Sequence, residues 1–125
     1  MSIRNLSRAA VAVTSIGVLG ILQIGSASAS GKTSAYSMGR EAARVTYWSS
    51  TDDFRVSDTL CDGHSVYAQY QRAGARMQKL SNSQGCHHYS DFNRSFTGGQ
   101  TIKYRVCVSL PFGDNCSSWR RDSTS

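Results

Sequence analysis

The amino-acid sequence predicts an all-β fold, a small antiparallel β-sandwich or barrel-like domain. Three observations support this prediction. Short stretches rich in Val, Tyr, Trp and Phe are separated by turn signals, two of these stretches alternate between apolar and polar residues, and helix signals are weak. Residues 38–44 form the only candidate helix. The chain has 125 residues, which is enough for one domain and excludes a multidomain enzyme.

The N-terminal segment has the organisation of a secretory signal peptide. Arg4 and Arg8 precede an uncharged apolar stretch over residues 9–25, and small residues at 26–29 then match a signal-peptidase site. A permanent membrane anchor is the alternative, but this apolar run of 17 residues lies at the short limit for a transmembrane helix. We therefore expect residues 1–29 to be cleaved and the mature protein to be extracellular. Its twelve basic and eight acidic residues give it a net charge of +4.

Residues 30–42 predict a flexible N-terminal arm, because they are rich in Ser, Gly and Thr and contain few apolar anchors. A fully extended arm of this length reaches about 45 Å, which is enough to add a strand to a partner. The single β-sandwich domain is expected over residues 43–125. A chain that starts at Ala43 is therefore expected to fold normally and to lose its partner.

The two clearest predicted strands alternate with period two, so that apolar side chains share the face that meets the core. These inward residues are Val66, Ala68 and Tyr70 in residues 65–71, and Ile102, Tyr104, Val106 and Val108 in residues 101–108. Lys103, Arg105 and Cys107 occupy the other, solvated face of the second stretch. Turns rich in Gly, Asn, Asp and Ser separate six predicted strands: residues 44–48, 53–59, 65–72, 76–80, 89–96 and 101–110.

The four cysteines, Cys61, Cys86, Cys107 and Cys116, all lie in the exported part of the chain, where oxidising conditions favour disulfides. Four cysteines allow three pairings. We favour Cys61–Cys86 with Cys107–Cys116, because each partner is then the nearest in sequence and a turn-rich loop separates the second pair.

A zinc site is the alternative use of these cysteines. Cys86, His87 and His88 are consecutive, and His64 is a candidate for the fourth zinc ligand. Adjacent residues on a strand point to opposite faces, however, and the chain has no second pair of closely spaced ligands. We therefore expect no metal.

Four fragments carry a resemblance to known proteins: residues 56–59 (Val-Ser-Asp-Thr), 61–67 (Cys-Asp-Gly-His-Ser-Val-Tyr), 105–107 (Arg-Val-Cys) and 116–119 (Cys-Ser-Ser-Trp). They resemble a broad set of small secreted proteins of streptomycetes and related actinobacteria. This resemblance implies a compact β-sandwich with local disulfides and implies no particular activity. A more distant likeness, in size and layout alone, is to the small adaptor of the actinobacterial umbrella toxin particles. There, a short exported domain with a free N-terminal arm joins a lectin-type subunit to a large toxin subunit.

A small secreted ribonuclease is the main enzymatic alternative. The chain is similar in length to guanyl-specific ribonucleases, but their chemistry needs a glutamate base opposite a histidine acid. The only glutamate, Glu41, falls in the predicted arm. A two-histidine ribonuclease would instead use His64 with His87 or His88, and a lysine on the phosphate.

Four acidic residues, Asp52, Asp53, Asp58 and Asp62, lie close together in the sequence. They raise the question of a calcium site or of a pair of catalytic carboxylates. Their spacing does not match the D-x-D-x-D-G calcium loop, and Asp commonly bonds its own backbone in turns. We therefore interpret them as turn residues.

The basic excess and the aromatic content each point to a binding surface. The basic residues, together with Tyr67 and Tyr89, contain the elements of a stacking groove for nucleic acid: Arg72, Arg76, Lys79, Lys103, Arg105, Arg120 and Arg121. A charge of +4 is modest, and exported proteins meet acidic proteins and anionic wall polymers more often, so nucleic acid is not favoured. Six aromatic residues exceed what so small a core can bury, which leaves carbohydrate or cell-wall binding as an alternative: Tyr47, Trp48, Tyr67, Tyr89, Phe112 and Trp119.

Together these observations favour a secreted, non-enzymatic binding module of the adaptor or inhibitor type that needs no cofactor. Its partner is expected to be another exported protein or a cell-wall component. The candidate contact residues are Lys32, Tyr36, Arg40, Tyr67, Lys103 and Arg105. The small hydrolase and the carbohydrate-binding protein remain the alternatives.

Overall fold

In the computed structural model, which describes residues 30–125, nine β-strands form two antiparallel sheets that enclose one core. The strands are β1 (Gly31–Ser37), β2 (Arg40–Trp48), β3 (Asp53–Asp58), β4 (Val66–Arg72), β5 (Gln78–Ser81), β6 (Tyr89–Phe92), β7 (Thr101–Val108), β8 (Asn115–Cys116) and β9 (Arg120–Ser123). Residues 30–125 contain no helix with the length and hydropathy of a membrane span. The predicted signal peptide, residues 1–29, lies outside the described residues.

The first sheet has the strand order β1-β2-β3-β6, and the second sheet has the order β9-β7-β4-β5. The short strand β8 also pairs with β7, at the end of β7 that β9 leaves free. The prediction of an all-β fold built from antiparallel strands is therefore confirmed. Each of the six predicted strands corresponds to an observed one, and the structure adds β1, β8 and β9.

The core is built from the inward residues of both sheets, and the inward faces predicted for β4 and β7 are confirmed by their burial. At the centre of the core, four aromatic rings pack against one another in a row. The ring centroids of Tyr104 and Tyr47 are 5.4 Å apart, and those of Tyr47 and Phe54, and of Phe54 and Tyr70, are 4.8 Å apart. Each such pair contributes about 0.5–1.5 kcal/mol beyond the area that it buries. Tyr47, expected among the surplus surface aromatics, is instead fully buried.

The flexible arm predicted for residues 30–42 is wrong, because β1 pairs with β2 from Gly31 to Ser37. Ala35, the only aliphatic side chain in β1, is 2% exposed and belongs to the core. This strand has few apolar residues, so its position is specified mainly by backbone hydrogen bonds to β2. The domain therefore begins at Gly31 rather than at residue 43.

The same hairpin replaces the candidate helix at residues 38–44. Met38 and Gly39 form a two-residue turn between β1 and β2, and both have positive φ values, of 55° and 75°. Two positive φ values suit the tight turns that match the twist of paired strands. Residues from Arg40 onward then continue as β2.

The two predicted disulfides, Cys61–Cys86 and Cys107–Cys116, are both present. The first joins the loop after β3 to the loop before β6, and the second cross-links β8 to β7. On the chain-entropy model, they stabilise the fold by about 3.5 and about 2.6 kcal/mol. Cys107 was expected on a solvated face. It alternates away from the core as predicted, but it is fully buried and is bonded to Cys116 on the neighbouring strand β8.

The buried carboxylate of Asp52 connects several segments by hydrogen bonds at one end of the sandwich. It accepts hydrogen bonds from the Tyr47 hydroxyl at 2.8 Å, the Phe96 backbone N–H at 2.9 Å and the Ser125 backbone N–H at 3.3 Å. The chain leaves β6 to make the second of these bonds, so the strand predicted for residues 89–96 ends at Phe92. Asp52 thus ties together three segments that are distant in sequence.

Candidate functional site

Several Lys and Arg side chains lie on the outer face of the second sheet. In antiparallel pairs, directly opposed residues point to the same side of the sheet. Arg105 on β7 lies opposite Gln69 on β4, which in turn lies opposite Lys79 on β5. Lys103 on β7 lies opposite Arg121 on β9. The sheet register therefore brings four cations from three strands onto one surface.

We call this surface the cationic face. It consists of the outward residues Lys79, Lys103, Arg105 and Arg121, together with the aromatic residues Tyr67 and Trp119.

Two aromatic rings hold three of these cations in position. The Lys103 ammonium nitrogen lies 4.6 Å from the centroid of the Trp119 ring, and the Arg105 guanidinium carbon lies 4.5 Å from it. The Lys79 ammonium nitrogen lies 4.3 Å from the centroid of the Tyr67 ring. Each contact is worth about 0.5–1 kcal/mol at an exposed site. The charges are therefore ordered against rings rather than spread over free side chains.

Hydrogen bonds also fix two side chains of the face, Arg105 and Tyr67. The Arg105 Nε donates to Gln69 Oε1 at 2.9 Å, and the Tyr67 hydroxyl donates to Asp114 Oδ2 at 2.5 Å. Burial raises the pKa of the Tyr67 hydroxyl above its ordinary value, and the bond to Asp114 raises it further. Tyr67 is therefore a neutral donor at physiological pH.

None of the cations of this face forms an ion pair within the described part of the chain. Residues 30–125 contain three ion pairs, which are Arg44–Glu41, Arg55–Asp91 and Arg120–Asp122, and none of them includes a residue of the cationic face. A cavity of about 290 Å³ at one end of the face is lined by Arg72, Lys103 and Arg121 and by no carboxylate. The surface is thus suited to a ligand that carries negative charge.

The structure brings together only half of the predicted contact residues. Tyr67, Lys103 and Arg105 share the cationic face, whereas Lys32 and Tyr36 lie on β1 and Arg40 begins β2, in the first sheet. Lys79, Arg121 and Trp119 were not among the predicted contact residues. Lys79 and Arg121 were grouped only with the basic residues of the disfavoured nucleic-acid groove, because their position on this face depends on a register that the sequence does not specify.

A second exposed surface lies at one end of the sandwich, and we call it the apolar end. It is formed by Tyr36, Met38 and Phe112, and the last two side chains are almost completely exposed. They border a cavity of about 510 Å³ that His64 also lines. The side-chain amide of Asn115 donates to the backbone carbonyl of Tyr36 and so connects β8 to β1.

The three histidines do not share one cavity. His64 lines the cavity at the apolar end, whereas His87 and His88 line a cleft of about 250 Å³ with Glu41 and Arg44. His64 thus borders the apolar end, and His87 and His88 border the cleft beside the ion pair of Glu41 and Arg44.

Glu41 was expected in a free arm, far from any core strand, and this expectation is wrong because Glu41 lies in β2. Its carboxylate accepts hydrogen bonds from Arg44 Nη2 at 2.7 Å, Arg44 Nε at 3.1 Å and the Ser34 hydroxyl at 2.6 Å. The bond from Arg44 is the largest influence and holds the pKa of Glu41 below its ordinary value. Glu41 is thus occupied as an ion-pair partner in the first sheet.

Two of the clustered acids have the turn role that the sequence indicates. Asp58 Oδ1 accepts the Leu60 backbone N–H at 3.3 Å, and Asp62 Oδ1 accepts the His64 backbone N–H at 3.1 Å. Both bonds span two residues, as in Asx-turns. In residues 30–125, no group of three or more His, Cys, Asp or Glu side chains is arranged to hold a metal ion.

No protein-family model, curated protein or solved structure matches this chain.

Proposed function

We propose that this protein is a secreted, non-enzymatic binding module that docks an acidic exported protein on its cationic face. The observation that carries the proposal is the set of four outward cations on three strands, three of them stacked on aromatic rings and none in an ion pair within residues 30–125. Secretion is supported by the leader-like sequence at residues 1–29 and by the two disulfides, which persist in oxidising compartments.

The composition of the face supports a protein as the partner. Trp, Tyr and Arg are the residue types that most often dominate the binding energy of protein interfaces. Here Trp119, Tyr67 and Arg105 lie among hydrogen-bonded or stacked neighbours, so little side-chain freedom is lost when they bind. A complementary acidic surface would also accelerate association and set the orientation of docking.

The size of the face indicates a transient complex. The four neighbouring strands have four to eight residues each, and at the usual strand spacing they cover about 360 Å². Twice this area is about 720 Å², which falls among small, transient interfaces. We therefore expect a dissociation constant on the order of 1 μM rather than 1 nM.

Affinity capture with matched variants tests this proposal. The oxidised mature chain, the Lys103→Glu/Arg105→Glu variant and the Lys32→Glu/Arg40→Glu variant are each used to capture proteins from the culture medium of the producing organism. The two variants have the same net charge, but only the first changes the cationic face. We expect an acidic protein to be recovered by the parent chain and by the control variant and to be lost with the face variant.

The recovered protein is then purified and its affinity is measured directly. Reversal of the charges at Lys103 and Arg105 should weaken binding at least about 30-fold, which corresponds to ~2 kcal/mol. Equal affinity of the two variants would exclude the cationic face as the docking surface. Preferential binding of the parent chain to DNA or to a sulfated polysaccharide, with no acidic protein recovered, would contradict a protein partner.

A further inference from the structure

The outer face of the first sheet contains a cavity of about 260 Å³ whose chemistry differs from that of the cationic face. Its lining includes an aromatic ring, three charged side chains and an amide, which belong to Trp48, Asp53, Arg55, Asp91 and Asn93. Thr51 and Phe54 complete the lining. We call it the Trp48 cavity.

The register of three strands assembles this cavity. Trp48 is the last residue of β2 and lies opposite Asp53, the first residue of β3. Arg55 on β3 lies opposite Asp91 on β6, and Asn93 follows directly after β6. An aromatic ring and two carboxylates are therefore held by strands, and the amide of Asn93 is placed by the residue that directly follows a strand.

Arg55 is already held in place from three sides. Its Nε and Nη2 donate to Asp91 at 2.7 and 3.0 Å, and its guanidinium carbon lies 3.7 Å from the Tyr89 ring centroid and 5.5 Å from that of Trp48. This pairing cancels the charges of Arg55 and Asp91. Asp53 then carries the remaining formal charge of the cavity, and this negative charge opposes an anionic ligand.

Several polar groups of the cavity have capacity left for a ligand. Asp53 Oδ1 accepts only a long bond, 3.4 Å, from the Arg94 backbone N–H. Within residues 30–125 no intramolecular hydrogen bond engages the Asn93 side-chain amide or the Trp48 indole N–H. A carboxylate accepts, an indole donates, and an amide does both. Together they match a ligand with several hydroxyl groups.

We propose that the Trp48 cavity binds a single uncharged pyranose ring. A pyranose has an apolar C–H face, which suits the indole of Trp48, and a rim of hydroxyls, which suits Asp53 and Asn93. The cavity is smaller than the range of about 300–1,000 Å³ that holds drug-sized ligands, so it fits one ring rather than several. This site is separate from the proposed protein-binding face, because it lies on the other sheet.

Nuclear magnetic resonance of the indole N–H groups tests the proposal, because the chain has only two tryptophans and Trp119 serves as an internal reference. The probes are the methyl glycosides of glucose, galactose, mannose and N-acetylglucosamine, each added to about 50 mM, since single-ring affinities are commonly millimolar. We expect at least one probe to shift the Trp48 signal in a saturable way and to leave the Trp119 signal in place.

Two variants then separate binding from folding. Asp53→Asn keeps the shape of the side chain but weakens its acceptor strength, and we expect it to reduce the affinity for the responding sugar at least about tenfold. Ser57→Ala, on the same strand but outside the cavity, should bind the sugar like the parent chain. The proposal is overturned if no probe shifts the Trp48 signal, if both indole signals shift alike, or if Asp53→Asn binds with unchanged affinity.

Discussion

Arg105 and Trp119 are in direct contact, with the guanidinium carbon 4.5 Å from the centroid of the indole ring. Trp119 lies in the segment between β8 and β9, and the disulfide Cys107–Cys116 anchors the start of that segment to β7. The aromatic part of the cationic face therefore depends on a cross-link as well as on the sheet. This arrangement explains how a short C-terminal segment with few apolar residues contributes to an ordered surface.

Replacement of Trp119 by alanine should release the cations that stack on it without unfolding the domain. The side-chain methylene protons of Lys103 should lose the upfield displacement that the ring current of Trp119 produces. Trp119 is only partly buried, so we expect a loss of stability of about 1 kcal/mol. Two-dimensional proton spectra and a thermal melt provide the two measurements. An unchanged Lys103 chemical shift would show that the stacking is absent in solution.

Removal of residues 30–37 should destabilise the domain severely. The deletion takes away β1, exposes the backbone edge of β2 and removes Ala35 from the core. We expect the melting temperature to fall by at least about 15 °C, since each kcal/mol is worth about 4–8 °C in a domain of this size. Circular dichroism compares the shortened chain with one that begins at Ser30. Equal melting temperatures would instead support the free arm that the sequence predicts.

Stability should fall steeply above about pH 10, the ordinary pKa of tyrosine in an unfolded chain. Burial is the main cause that raises the pKa of both Tyr47 and Tyr104 in the folded state, and hydrogen bonds to Asp52 and Asp122 raise these pKa values further. Above pH 10 the unfolded chain loses these protons while the folded chain retains them, so the unfolded state is favoured. Each tyrosine contributes about 1.4 kcal/mol per pH unit.

Urea unfolding between about pH 9 and about pH 11.5 measures this slope. Tyr47→Phe should be less stable than the parent chain at neutral pH, because Asp52 loses a hydrogen-bond donor. The same variant should nevertheless have a smaller slope in alkali, since one titrating group is gone. An identical slope in both proteins would contradict the assignment to Tyr47.

The alternation of apolar and polar residues and the spacing of the cysteines allowed part of this fold to be predicted. In β4 and β7 apolar residues recur at every second position, so both the strands and their outward residues Tyr67, Lys103 and Arg105 followed from the pattern. The disulfides followed from nearest-neighbour spacing, because short loops bring such cysteines together easily.

The parts that were missed are those in which backbone pairing outweighs side-chain pattern. Strand β1 contains mainly small and polar residues and resembles a flexible segment, yet it pairs along its whole length with β2. Strand β9 (Arg120–Ser123) has no apolar residue, so nothing in its composition placed Arg121 opposite Lys103. The full cationic face depends on this long-range register, which a local pattern does not contain.

The most direct test of docking on the cationic face is to map which residues of the protein contact the partner. The isotope-labelled, oxidised mature chain is titrated with the purified acidic partner recovered by affinity capture, and backbone and indole chemical shifts are followed. If the partner docks on the cationic face, the largest changes occur at Lys103, Arg105 and the Trp119 indole. Changes confined to Tyr36, Met38 and Phe112 would instead place the partner at the apolar end and contradict docking on the cationic face.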